Sequence, residues 1–565
     1  MDKITSAFLN KFKKSHQIDT NDESVDFEIF ANYCIIGNLY DNDFEPATIS
    51  SGGEGDCGLD GFAIIADDEL ITNQSELQNM FENRKKIFDF KFVFIQTKRS
   101  EKFESGEIAK FCMGVENIFN PSTDIERNER IKEILKMIDY VYNYSSRLKQ
   151  NPDCIMYYIT TGAWQEQKSA KARFEKTKRE LEKSHLFNNV IINAWGAKEL
   201  QKAYRNLTEA NSSEVEIKYN VTLPTPSSIR EAYLGFIEIP EYLKLITSEL
   251  SGIKKSVFYS NVRDYQGDTD VNQEISATIC NEPDNFLFYN NGVTIICKSI
   301  RRTSDKFTLN DYQIVNGCQT SHEIFKNKNK NITNIKIVIK LIVTDDEETI
   351  SNIIRATNRQ TKISDEQFIA LGEFHKELED YYSTYAQPQN LYYERRHKQY
   401  EYQENIEKVR IVTIASQIKS FASMFLNNPH LACGYYGQLV KNVEKYLFLP
   451  THKKIAYYTS AFLLYKLEYA FRNKQLERAH RPFRYHILTL FKEEYIKSNA
   501  IDSKKVEKDC EELLRIVCNN TTFINKCKTY LKLIESCVPD IDEGDITKQA
   551  SFVSHILSKL RETLK

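Results

Sequence analysis

Five of the chain's 19 glycines, Gly52, Gly53, Gly55, Gly58 and Gly61, stand within the ten positions from 52 to 61. Glycine loses more conformational freedom on folding than any other residue, so such density marks a loop that needs unusual backbone angles or a close approach to something. Gly53-Glu54-Gly55-Asp56-Cys57-Gly58 formally fits GxGxxG, but the dinucleotide fingerprint requires a strand before it and a helix after it. Here the order is reversed. Residues 24–38, SVDFEIFANYCIIGN, put Phe27, Phe30, Ala31, Cys34 and Ile35 on one helical stripe, and LDGFAII after the loop reads as a strand. Dinucleotide binding is rejected on that order. What the loop delivers is acid: Asp56 inside it and Asp60 at the mouth of the strand.

A helical SELQNMFENRKK follows, then the β-rich FKFVFIQTK, which ends abruptly in charge. Strand alternation puts Gln96 and Lys98 on one face and Thr97 on the other. Two hard oxygen ligands, Asp60 and Gln96, beside a lysine suit phosphodiester hydrolysis. Mg²⁺ (or Mn²⁺) takes oxygen ligands and keeps waters, one of which can attack. Lys98 would orient or deprotonate that water and stabilise charge building on the phosphate. Further on, residues 103–149 read as two helices, 154–162 as a buried strand, 166–184 as a Lys/Arg-rich surface helix and 189–195 as another strand. Strands alternating with helices predict an α/β domain.

This arrangement resembles the PD-(D/E)xK nuclease superfamily, above all the Mrr-type restriction endonucleases, in which a Gly-rich turn leads into the catalytic Asp strand and QxK replaces the commoner (D/E)xK. The likeness covers roughly residues 20–200. It implies a mixed sheet flanked by helices, DNA as substrate, and catalytic roles for Asp60, Gln96 and Lys98. It also implies that Glu28, on the preceding helix, completes the metal site, with Asp56 as an auxiliary ligand. Because Gln96 is neutral where a carboxylate is usual, the site carries one negative charge less, and metal number stays open. Arg99 and Lys102 after the strand, and Lys168, Lys171, Arg173, Lys176, Lys178 and Arg179 on the later helix, are candidates to track a phosphate backbone, or simply a solvated face.

At 565 residues the chain exceeds one core, and about 150 residues per domain gives two to four domains. We expect a nuclease-like domain over 1–205, a polar connector with one short strand over 206–228, an α+β domain over 229–410 with strands at 286–298, 312–317 and 334–343, and an α-helical region over 411–565, where glycines almost vanish. The class is therefore α/β multidomain. A net charge of −3 with 41% hydrophobic and 27% charged residues indicates folded domains and neither demands nor excludes nucleic acid. Twelve cysteines without a CxxC pair, an N-terminus unlike a signal peptide and no apolar run near the ~20 residues of a membrane span point to the cytoplasm and away from membranes.

Residues 257–410 resemble the AIPR family, whose name abbreviates abortive infection phage resistance. The matching words are Asn261-Val262-Arg263 with Val271-Asn272, Tyr289-Asn290-Asn291-Gly292-Val293-Thr294, Ile314-Val315-Asn316-Gly317-Cys318-Gln319-Thr320, Thr357-Asn358-Arg359-Gln360 and Tyr393-Glu394-Arg395-Arg396. The likeness implies a bacterial antiviral role. Read as chemistry, Asn272, Asn290, Asn291, Asn316, Gln319, Asn358 and Gln360 offer donor and acceptor edges, while Arg263, Arg395 and Arg396 clamp phosphates. That set suits a nucleotide or a base; the plainer alternative is that the amides cap turns. Cys318 lacks a predicted histidine activator and reads as a buried thiol. Arg481 and His486 have the R-x₄-H spacing of HEPN ribonucleases, but Pro482 departs from that pattern. Cys510, Cys518, Cys527 and Cys537 are spaced too widely for a zinc knuckle and read as core cysteines.

Two function classes follow. One is a defence nuclease cutting DNA, with RNA as the alternative substrate, regulated by the AIPR domain. The other is a non-catalytic sensor or binding protein whose nuclease fold only holds nucleic acid. A homodimer is expected because two strands must be cut, and a co-encoded defence protein is a possible partner.

Overall fold

FKFVFIQTK is buried along nearly its whole length, which only a strand covered on both faces allows. In the computed structural model it is the middle of a five-stranded sheet. The structure describes residues 1–564 apart from 41, 68, 84–85, 121–126, 166, 249–251, 259–268, 331, 333, 358–372, 396–398, 401–402, 404, 435 and 539–545. The chain divides into two compact units, Met1–Tyr204 together with Glu373–Lys565, and Arg205–Gly372.

The first unit opens with helices α1 (Lys3–His16) and α2 (Glu23–Leu39), then strands β1 (Gly61–Ala66) and β2 (Glu69–Ile71). There follow α3 (Gln74–Asn83), β3 (Phe90–Lys98), α4 (Ser105–Phe119), α5 (Glu129–Asn143), β4 (Asp153–Thr160), α6 (Lys168–Lys183), β5 (Val190–Trp195) and α7 (Ala197–Thr208). The strand order is β2-β1-β3-β4-β5. β1 pairs antiparallel with β2 and β3, whereas β3, β4 and β5 run parallel. Phe62, Ile64, Phe92, Phe94, Met156 and Tyr158 pack against α3, α4, α5 and α6. The intervening residues face the other way, where α2 lies on β1 and β3. Asp22 caps α2 by accepting from Ser24 N at 2.8 Å, which fixes the start of the helix that carries Glu28.

Helices of the C-terminal stretch, among them Glu373–Ser383, Ile414–Phe425, Lys454–Arg472, Arg484–Tyr495, Lys504–Cys518 and Asn520–Glu535, share one core. It is rich in tyrosine, and several of the hydroxyls are paired: Tyr382 donates to Gln417, and His452 Nδ1 meets Tyr457 Oη at 2.9 Å. Cys510 and Cys527 are buried there as expected, but Cys518 is exposed at a helix end.

The second unit is built on a six-stranded sheet in the order β6-β12-β11-β13-β8-β7. Its elements are β6 (Ser212–Glu216), β7 (Lys218–Thr222), β8 (Glu231–Glu238), α8 (Ile239–Ile246), the short pair β9 (Thr247–Ser248) and β10 (Gly252–Ile253), α9 (Asp270–Asn281), α10 (Phe286–Tyr289), β11 (Val293–Thr303), β12 (Lys306–Asn316), α11 (Cys318–Lys326), β13 (Lys336–Val343) and α12 (Glu347–Thr357). Three expectations are corrected. The stretch 206–228 supplies both edge strands, β6 and β7, rather than a connector with one short strand. Phe286–Tyr289 is a helical turn where a strand was expected, because Asn290 ends it by an Asx turn onto Gly292 N, 3.0 Å away, and β11 starts only at Val293. Residues 373–410 group with the C-terminal helices instead of the second unit. Among the described residues no helix is long and apolar enough to cross a membrane.

Candidate active site

Asp60 precedes β1 and is 5% exposed. Its Oδ2 accepts from Thr97 N at 2.7 Å, Thr97 Oγ1 at 2.9 Å and Gln96 Nε2 at 2.5 Å. Register explains the meeting: Gly61 pairs with Ile95, so the residue before β1 faces the residues at the end of β3. Thr97 departs from the expectation that it points away. Gln96 and Thr97 leave the strand on opposite faces, and both reach one oxygen because the Asp60 carboxylate lies at the open end of β1, within reach of either side. Gln96 also departs in detail: it turns its nitrogen to Asp60 and to Thr97 O, 3.2 Å away, as an ionised acceptor demands.

The glycine loop is held from several sides. Asp56 accepts from Gly53 N at 3.1 Å and Gly58 N at 2.7 Å, so both of its oxygens pin the turn, where metal ligation was expected. Asn128, which caps α5, donates its backbone N–H to Gly55 O at 2.9 Å and its side-chain amide to Ser51 O at 3.3 Å. Gly58 has φ +74, a region that glycine enters without strain. Gly114 of α4 lies so close to the loop that a Cβ there would stand 1.8 Å from Cys57 O.

Glu28 joins Asp60 at this loop. A Cβ on Gly52 would lie 3.2 Å from Glu28 Oε2 and 3.6 Å from Asp60 Oδ1, so the two carboxylates flank one glycine. Burial above all, then the charges of Asp60, Asp56 and Asp22, push the Glu28 carboxyl up to about 8, with Lys98 opposing. Burial likewise pushes Asp60 up to about 6 against the Thr97 hydrogen bonds and Lys98. Lys98, at the end of β3, pairs with Glu107 of α4 at 3.0 Å. Among the described residues no group of three or more His, Cys, Asp or Glu could hold a metal ion. Mg²⁺, however, is commonly held by only one or two carboxylates with waters completing its shell. Two carboxyl groups whose pKa values are raised above all by burial, beside an amide, are chemically suited to such a cation.

Three residues not singled out by sequence belong here. Asn32 is fully buried one turn beyond Glu28 and donates to Asp60 O at 3.1 Å, while its Oδ1 has no hydrogen-bond partner among the described residues. Its i+4 spacing from Glu28 was the available signal. Glu107 and Thr97 carried no comparable one.

Other expected residues fall elsewhere. Arg99, Lys102 and Lys171 are exposed, and Arg99 pairs with Glu23 at 2.5 Å. On α6, Lys178 lies 4.0 Å from Glu182, and Arg173 is bound to Glu116 through both carboxylate oxygens. The basic face of that helix is thus partly neutralised, by Glu182 of α6 itself and by Glu116 of α4. Arg481 grips Glu468 at 2.8 Å and 3.2 Å, and His486 is fully buried with burial pushing it down to about 3, so the R-x₄-H pair is not a phosphate site. In the second unit Asn272 donates to Gln319 at 2.8 Å, Asn290 to Thr320 at 3.0 Å and Asn316 to Thr357 O at 2.9 Å. Asn291 is exposed and Cys318 is buried. Arg395 belongs to the first unit, where it pairs with Glu379 at 3.0 Å, so the expected ligand set is not one cluster in one unit. Arg263, Asn358, Gln360 and Arg396 lie outside the described residues.

A paired carboxylate centre with a lysine at the open end of a mixed sheet has the donor chemistry that a divalent cation and a phosphate require. The chain itself belongs to the AIPR family: the family model, described as AIPR protein, matches residues 258–544, just over half of the chain. Membership suggests an antiphage, abortive-infection role. No curated protein and no solved structure matches the chain.

Proposed function

We propose that the chain is a metal-dependent nuclease of antiphage defence that hydrolyses DNA in the cytoplasm, with the AIPR region regulating it. The observation that carries this reading is the flanking of Gly52 by Glu28 and Asp60, both raised in pKa, with Lys98 as a positive charge that acts on both. Glu28, Asp60 and the Gln96 amide would hold Mg²⁺ or Mn²⁺. When bound, the cation supplies Lewis-acid polarisation of the phosphate and a water of lowered pKa. Asp60 is kept rigid by its three donors, which leaves Oδ1 for the ion. Gln96 must rotate its amide to turn oxygen outward. Lys98 stabilises charge developing on the phosphate, and Glu107 holds its ammonium in place until substrate arrives.

A cleavage assay on DNA and RNA with Mg²⁺, with Mn²⁺ and with EDTA, repeated for Asp60→Ala and Lys98→Ala, tests this. Cleavage that needs metal and is lost in both variants is the expected result; equal activity in every arm sinks it. The second reading, a module that holds nucleic acid without cutting, draws on the Lys98–Glu107 ion pair, which occupies the lysine. It predicts binding without cleavage under all conditions. Light scattering tests the proposed homodimer: a monomer that still makes double-strand breaks contradicts it.

A further inference from the structure

The segment just before the glycine loop is bonded to the candidate site on one side and to the C-terminal helices on the other. Toward the site, Ser51 N donates to Asp60 O at 3.1 Å, Ser51 Oγ to Leu59 O at 3.0 Å and Phe62 N to Ile49 O at 3.0 Å, and Ser50 bridges to Gly61. These bonds set the main chain on both sides of Asp60.

Toward the C-terminal helices, Arg472, the last residue of Lys454–Arg472, binds both carboxylate oxygens of Glu45 through three hydrogen bonds of 3.0 Å, 3.1 Å and 2.7 Å, with side chains only 4% and 13% exposed. Arg478 donates to Thr48 O at 3.0 Å and Ser50 O at 3.3 Å. Arg481 and Arg484 brace the same helix through Glu468. The contact extends to Gln17, just past the end of α1, which donates to Glu407 at 2.6 Å and accepts from Tyr465 at 2.8 Å. Arg478 fixes main chain rather than charge, since both bonds go to carbonyls. A guanidinium with two parallel donors suits that task, and a lysine can supply it only in part.

We infer that Arg478, seconded by the Arg472–Glu45 pair, is a positioning residue for the N-terminal site: it clamps Thr48–Ser51 and through that segment sets where Asp60 stands against Glu28. Both arginines lie inside the AIPR-matching stretch, so a partner or ligand that shifts these helices reaches the site directly through the clamp. The inference rests on the nuclease reading for its effect on rate, but not for its effect on the loop.

The test uses the full chain as wild type, Arg478→Ala and Arg478→Lys. Hydrogen exchange reads local opening without reference to activity. In Arg478→Ala the amides of residues 48–62 are expected to exchange on the order of tenfold faster, with those of β4 unchanged. Cleavage is expected to lose on the order of tenfold or more in kcat with KM unchanged and more Mg²⁺ needed for half-activity, because small misplacements at a reacting centre cost rate steeply. Arg478→Lys should recover part of both effects and serves if the alanine variant does not fold. Wild-type exchange in residues 48–62, or a rise spread evenly over the unit, overturns the clamp. Faster local exchange with no cleavage by any form upholds the clamp and removes the nuclease reading. Cleavage lost in Asp60→Ala but identical in Arg478→Ala removes the inference and leaves the nuclease.

Discussion

Replacing Glu28 by glutamine removes one carboxyl from the pair and keeps the side chain's size. Burial first, then neighbouring carboxylates, raise this group from the ordinary 4.5 to about 8. Between those values the folded chain keeps a proton that the unfolded chain has lost, so stability falls as pH rises through that window and the full cost applies above it. At about 1.4 kcal/mol per unit the ceiling is roughly 5 kcal/mol, and because water still reaches the half-buried side chain, roughly 1–3 kcal/mol is the expected figure. Urea unfolding followed by tryptophan fluorescence reads this region, since the chain's two tryptophans, Trp164 and Trp195, both lie in the first unit. In EDTA at about pH 9, Glu28→Gln should be the more stable protein by that margin, and at about pH 4.5 the two should coincide. Saturating Mg²⁺ should reverse the order, adding about 2.7 kcal/mol to wild type at 100 times Kd and much less to the variant. A variant no more stable than wild type at high pH in EDTA would refute the claim that repulsion and burial strain this site.

Asp60→Ala leaves the Gln96 and Thr97 donors without their acceptor in a site where those residues are 3% and 4% exposed. It should lose cleavage and about 1–3 kcal/mol, read from the same unfolding curve. Asp56→Ala frees two turn N–H groups and should cost about 1 kcal/mol while lowering cleavage only in part; loss as complete as in Asp60→Ala would make Asp56 a ligand after all. Gly114→Ala puts a Cβ against Cys57 O, a backbone atom that cannot turn aside, and should destabilise by about 2 kcal/mol or more; an unchanged urea midpoint contradicts the close packing. If the chain cuts RNA, Arg481→Gln should leave that rate intact, because Arg481 is committed to Glu468; abolished cleavage would revive the R-x₄-H site.

How much was legible from residues alone follows from the range of the interactions. Local periodicity carried α2, β1, β3, β4, α6 and β5, since period and flanking charge are properties of a few consecutive residues, and FKFVFIQTK became β3 from its first residue to its last. The juxtaposition of Asp60 with Gln96 was readable because one strand pairing brings them together. Local patterns carried one short strand inside 206–228 and not two: β7 pairs with the nearby β8, whereas β6 pairs with β12, far along the chain. Asp56 read as a ligand because a carboxylate in a loop can serve a metal or a turn, and only the positions of Gly53 and Gly58 decide which. The raised pKa values of Glu28 and Asp60 depend on burial and spacing that no motif encodes. Most of all, the joining of the first 204 residues with the C-terminal helices rests on contacts such as Arg472 with Glu45, 427 positions apart. The residue types that permit an acidic site are written in the chain locally; what holds that site in shape is set by long-range packing.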